Sequence, residues 1–149
     1  MGLSVSHGCW DGAYSAFYRW RTEIAKHAGI PLRLMEGFCD PAEWYPLLVL
    51  KTHNPSAVQE LIDYHLSDLP IRWASLKPDP LHLLLNHSDC DGEIDWRSCN
   101  DIAQRLEEIL SLLPTAPDKR HIGDWRKKTQ EFIDGLRLAA DKQEHIKFT

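Results

Sequence analysis

The chain has 149 residues, 43% hydrophobic and 26% charged, with a formal net charge of −5. That length fits one domain with a single core, and the composition is ordinary for a soluble globular protein. The acidic balance argues against general nucleic-acid binding through a basic face, and no apolar stretch reaches the roughly 18 residues of a membrane span. No basic segment leading into an apolar core opens the chain, so the expectation is a cytoplasmic protein. Its four cysteines, Cys9, Cys39, Cys90 and Cys99, are expected as reduced thiols rather than a disulfide framework.

In chain order, Leu3 to Ser6 reads as a short strand. Asp11 has the chemistry of a helix N-cap, and Tyr14, Phe17, Tyr18, Arg21, Ile24, Ala25 and Ala28 then recur at helical spacing until Gly29-Ile30-Pro31. Residues 31 to 55 are broken by Pro31, Gly37, Pro41, Pro46 and Pro55, which leaves room for a short helix from Pro41 to Leu48. Ser56 to Leu66 reads as a helix, and Ser67 to Pro80 as connection with an extended piece at Ile71-Arg72-Trp73.

The short apolar run Leu81 to Leu85, bounded by Pro80 and a polar loop, predicts a buried strand. Asp95 predicts the cap of a helix with an inner stripe of Ile102, Leu106, Ile109, Leu110 and Leu113. Asp124 predicts the cap of the last helix, with Trp125, Phe132, Ile133, Leu136 and Ala140 inward, and His145 to Phe148 a closing strand. The order implies one α+β or small α/β domain over residues 1 to 149, a small sheet with about four helices around it.

Two polar groups stand at the ends of the predicted strands. Ser6-His7-Gly8-Cys9-Trp10-Asp11 follows the first, and Asn86-His87-Ser88-Asp89-Cys90-Asp91-Gly92-Glu93 follows the run 81–85. If those strands are parallel neighbours, both groups leave the same sheet edge, where ligands favour the crevice beyond strand C-termini. The functional expectation therefore rests on His7 and Asp89 facing a common cavity.

Three chemistries fit these residues. A metal site could draw on His7, Cys9, His87 and Cys90 for zinc, or on His87, Asp89 and Asp91 for magnesium or manganese. The plainer alternative is that the acidic groups form Asx-type turns before Gly92. An EF-hand does not fit: with Gly92 at the sixth position, His87 falls at the first and Ser98 at the twelfth, where acidic ligands are needed.

Nucleophilic catalysis could use Cys9 at a helix start, with His87 as base and Asp89 to orient it, against the stronger alternative of an inert cysteine packed beside Trp10. Ligand binding without turnover could use Trp10, Trp73, Trp96 and Trp125 as aromatic faces. Arg120, with Lys119, His121, Arg126, Lys127 and Lys128 around the last helix start, would hold a phosphate, against the alternative of a solvated basic face.

The runs Ser6-His7-Gly8-Cys9-Trp10, Gly12-Ala13-Tyr14, Leu85 to Ile94 and Phe132-Ile133-Asp134-Gly135-Leu136 resemble a family of small uncharacterised proteins of bacteriophages and bacteria. The resemblance implies an intracellular accessory protein, made by a phage in its host in one version, and assigns no catalytic role.

The leading expectation is a small-ligand-binding protein that sequesters a nucleotide-like, phosphate-bearing molecule through His7, Trp10, His87, Asp89, Asp91 and Arg120. The alternatives are a metal-assisted hydrolase, with His87, Asp89 and Asp91 on a divalent ion and Glu93 or His7 moving a proton, and an interaction module whose polar loops are structural. An oligomer with a shared pocket is allowed but not required.

Overall fold

The computed structural model describes residues 2–39, 70–114 and 124–149. They fall into two compact units, one of residues up to Ile30 and from Asp79 onward, the other within Pro31–Pro78. The helices predicted at 41–48 and 56–66, and Lys119, Arg120 and His121, lie outside the described residues.

The larger unit is α+β. It begins with an antiparallel hairpin of β1 (Gly2–Val5) and β2 (Trp10–Ala13), followed by helix α1 (Tyr14–His27). A single helical turn, α2 (His82–Leu85), precedes β3 (Glu93–Ile94), and two long helices follow, α3 (Trp96–Leu110) and α4 (Trp125–Lys142). Strand β4 (Ile146–Lys147) returns antiparallel to β3. An antiparallel bridge between Val5 and Phe148 joins β1 to the end of β4, with Ser4 and Thr149 exchanging backbone hydrogen bonds at 2.9 Å. In the smaller unit, short 3-10 turns at Leu32–Leu34 and Trp73–Ser75 accompany a parallel bridge between Met35 and Ile71.

Sequence periodicity explains the long helices. In α1 the buried positions are Phe17, Trp20, Arg21, Ile24 and Ala25, and in α3 they are Cys99, Ile102, Ala103, Leu106 and Ile109. Such i, i+3, i+4 stripes bury one helix face. Asp95 caps α3 by accepting the Arg97 N–H, and Asp124 caps α4 by accepting those of Arg126 and Lys127, as their positions predict. That backbone hydrogen bond is the main reason the Asp95 carboxyl titrates below the usual range. The core centres on Trp20, Phe17 and Phe132, with Trp20 and Phe132 rings 4.8 Å apart.

Three expectations are corrected. The run 81–85 is a helical turn, not a strand. In the turn that leads into it, Asp79 takes the Leu81 N–H on its carboxylate at 2.9 Å, and Pro80 stands just ahead of the helix, where a missing N–H does no harm. Leu81, Leu84 and Leu85 are buried while Leu83 is 53% exposed, which is helical rather than alternating burial.

Asp11 caps no helix; it lies in β2, and α1 begins at Tyr14. The strands pair antiparallel, so among the described residues no sheet edge is shared by two parallel strand ends.

Arg21 ties α1 to α2. Its side chain is 2% exposed, and one guanidinium nitrogen donates to the carbonyls of Leu84, Leu85 and His87 at 3.4, 3.2 and 2.7 Å. These are carbonyls at the end of a helical turn, where a cation is also favoured by the peptide dipoles. Burial lowers the Arg21 pKa to about 10, against the opposing pull of Asp89, and the group stays charged at neutral pH. Arg21→Ala is expected to lower stability by about 3 kcal/mol, through lost packing and stranded carbonyls. Urea unfolding measures this, and an unchanged midpoint would show that water replaces the guanidinium without penalty.

Candidate functional site

Each polar group is held by a different piece of local chemistry. The first is a tight turn between β1 and β2. The Cys9 N–H donates to the Ser6 carbonyl at 3.2 Å, and the central residues His7 and Gly8 have φ of 60° and 73°. Positive φ at both central positions matches the right-handed twist of a hairpin. Glycine adopts it freely; histidine does so at a cost of about 1 kcal/mol.

Helix α4 presses on this turn. A Cβ on Gly135 would lie 2.5 Å from Cys9 Sγ, 2.9 Å from the His7 carbonyl oxygen and 3.0 Å from the Cys9 nitrogen. Only a residue without a side chain lets the helix approach so closely.

The His7 side chain is 10% exposed and meets other side chains at both ring nitrogens. Ser6 Oγ lies 2.8 Å from Nδ1, and a Glu144 carboxylate oxygen lies 3.5 Å from Nε2. Ser6 Oγ also accepts the Lys147 N–H at 2.8 Å. In the neutral ring, the proton belongs on Nε2, facing the carboxylate, and Nδ1 accepts from the serine hydroxyl.

Glu144 is placed by the end of α4. Gln143 turns left-handed at φ 56°, its N–H donates to the Ala140 carbonyl, and the Glu144 N–H reaches back to Ala139 at 3.0 Å. This pair of hydrogen bonds to the last turn is a Schellman ending, usually built on glycine. Among the described residues, His7 and Gln143 are the non-glycine residues with positive φ, and they carry or directly precede the two partners in this contact.

The second group, residues 86–93, is built differently. His87 Nδ1 sits 2.8 Å from the Ser88 carbonyl and Nε2 3.1 Å from that of Glu93, so both ring nitrogens face main-chain oxygens. The ring stacks on Phe148 with centroids 4.1 Å apart. Gly92, at φ 93°, leaves room for it: a Cβ there would stand 3.1 Å from the ring. Cys90 and Asp91 are exposed, and Asp89 is half-buried.

Among the described residues, no hydrogen bond, ion pair or ring contact links His7 to His87, Asp89 or Asp91. Trp10 is 3% exposed and packs on Phe17 and Trp20, with the Lys128 ammonium 4.9 Å from its ring. Trp125 is also core, and Arg126 donates to the Leu113 carbonyl at 3.0 Å.

Cys9 is fully buried in the hairpin rather than at a helix start, and burial pushes its thiol up to about 12, which makes it inert as a nucleophile. Among the described residues no group of three or more His, Cys, Asp or Glu side chains is arranged to hold a metal ion. An open groove of about 440 Å³ near the start of α4 is lined by Leu110, Asp124, Arg126 and neighbours, and by neither polar loop.

Sequence reasoning singled out His7 but missed both of its partners. Ser6 was visible as the adjacent residue. Glu144 was not, because only the left-handed ending of α4 brings it back, and Gln143 carries no glycine to announce it.

Comparison with protein-family models, curated proteins and solved structures found no match. No helix among the described residues is long and apolar enough to cross a membrane.

Two measurements follow from this geometry. Gly135→Ala should destabilise the protein by at least about 2 kcal/mol through overpacking, although alanine favours a helix interior by about 1 kcal/mol; a rise in melting temperature would show that α4 and the turn can part. A chelator should leave the melting temperature unchanged, because the His87 nitrogens are already engaged by carbonyls; a fall of several degrees would restore the metal reading.

Proposed function

We propose that this protein is a hydrolase in which His7 is the proton-moving group. The observation that carries the reading is the chain of contacts Ser6 Oγ to His7 Nδ1 at 2.8 Å and His7 Nε2 to Glu144 at 3.5 Å. A base needs a proton within hydrogen-bond reach, which Ser6 supplies, and a nearby carboxylate favours the charged ring that results. The strained backbone at His7 and Gln143 supports the same reading, because strain persists where the surrounding structure holds a side chain in a working position.

A second reading, an interaction protein with structural polar loops, is favoured by residues 86–93, where His87 serves the main chain and Phe148. It would act through surface outside the His7 turn.

The two separate with His7→Gly. Glycine accepts the left-handed turn, so the variant should fold with a melting temperature within a few degrees of the parent. Hydrolysis of an activated ester such as p-nitrophenyl acetate should fall in kcat by about 10²- to 10⁴-fold, the range for loss of a general base. Added imidazole should restore part of it. Equal rates for the parent and the variant would leave the interaction reading.

A further inference from the structure

We propose that Ser6 is the nucleophile of this site and forms a covalent acyl ester during turnover, so that the substrate class is acyl esters. The inference rests on the hydrolase reading above and assigns the attacking atom. Ser6 Oγ has the connections of an activated hydroxyl. It accepts the Lys147 N–H at 2.8 Å, which fixes the oxygen against β4 and directs its own proton to His7 Nδ1, also at 2.8 Å. Nε2 of the same ring faces the Glu144 carboxylate at 3.5 Å, which favours the imidazolium that forms on proton transfer. Glu144 is 56% exposed, so its help is weaker than that of a buried carboxylate.

The contrast with the other histidine–carboxylate pair sharpens the assignment. His27 lies 3.2 Å from Glu23 one turn away on α1, and no serine hydroxyl bonds its ring. His87 faces only carbonyl oxygens through its nitrogens. The His7 ring sits between a hydroxyl and a carboxylate.

The chemistry balances on these groups. Ser6 Oγ bonds to the acyl carbon as its proton passes to His7 Nδ1. The tetrahedral adduct collapses, the bond from acyl carbon to the alcohol oxygen breaks, and the alcohol leaves with that proton. Water then attacks the Ser6 ester, giving a proton to Nδ1. The acid departs as Oγ takes the proton back.

The test uses the full-length protein and a fluorophosphonate probe, read by intact mass and peptide mapping. Expected is one adduct per chain, mapped to Ser6, lost in His7→Gly and retained in the control His27→Gln. Glu144→Gln should slow labelling only several-fold. Peptide mapping of the parent decides the matter even if Ser6→Ala folds poorly through loss of its bond to Lys147. Ester hydrolysis that depends on His7 with no adduct on Ser6 would overturn this proposal and leave His7 as a base acting on water. Neither hydrolysis nor adduct would overturn both. An adduct on another residue would overturn the assignment of Ser6.

Discussion

The close approach of helix α4 to the first hairpin governs the geometry of everything around it. Gly135 lies where any Cβ would overlap Cys9 Sγ and the His7 carbonyl. The helix therefore rests on the turn backbone itself. That contact sets the height of α4 over β1, buries Cys9, and brings the end of the helix to the level of His7. From there one left-handed residue, Gln143, reverses the chain so that Glu144 faces the ring and Ile146 enters β4. A longer residue at 135 would displace all of these together, because packed interiors transmit such shifts rather than absorb them.

The two histidines of the polar loops differ in what their rings meet. His87 lies in the richer cluster, with Asp89, Cys90, Asp91 and Glu93 close in sequence. Its ring nevertheless closes the loop on itself and covers Phe148. Arg21 does the corresponding work from beneath, taking the carbonyls that α2 leaves open. A loop closed this way turns a polar side chain onto its own main-chain oxygens, so residues that look functional in the sequence have local partners. His7 lies in the poorer cluster, yet its nitrogens meet a hydroxyl and a carboxylate.

Much of the fold was legible. The stripes of α1, α3 and α4, the caps Asp95 and Asp124, the opening strand and the closing one follow from period and cap chemistry. Two local signals were present and misread. Asp79-Pro80 makes a turn that leads into a helix, and the spacing of Leu81, Leu84 and Leu85 is helical, but a five-residue apolar run satisfies a strand pattern equally well. His7-Gly8 is a hairpin turn, and the short segment Trp10–Ala13 after it was absorbed into the following helix because Asp11 resembles a cap. Both errors supported the parallel arrangement on which the shared cavity depended. The Ser6–His7–Glu144 contact lay beyond reach for a different reason. Glu144 is separated from Ser6 and His7 by most of the chain, and their meeting depends on a tertiary approach and a glycine-free left-handed turn.

The identity of residue 7 is the last point that the fold alone does not explain. Asparagine or glycine would fill a left-handed turn position at lower conformational cost than histidine. A turn selected only to join β1 and β2 has no need of an imidazole, and a turn selected only for stability would avoid one. The same holds at Gln143, where glycine would end α4 more easily. Two such departures at opposite ends of the chain converge on one ring and one carboxylate. If each arose independently of the other, there would be no reason for them to share a contact. Their coincidence is what a constraint on the position of the His7 ring would produce, and it links the local strain of the backbone to the chemistry of the side chain it presents.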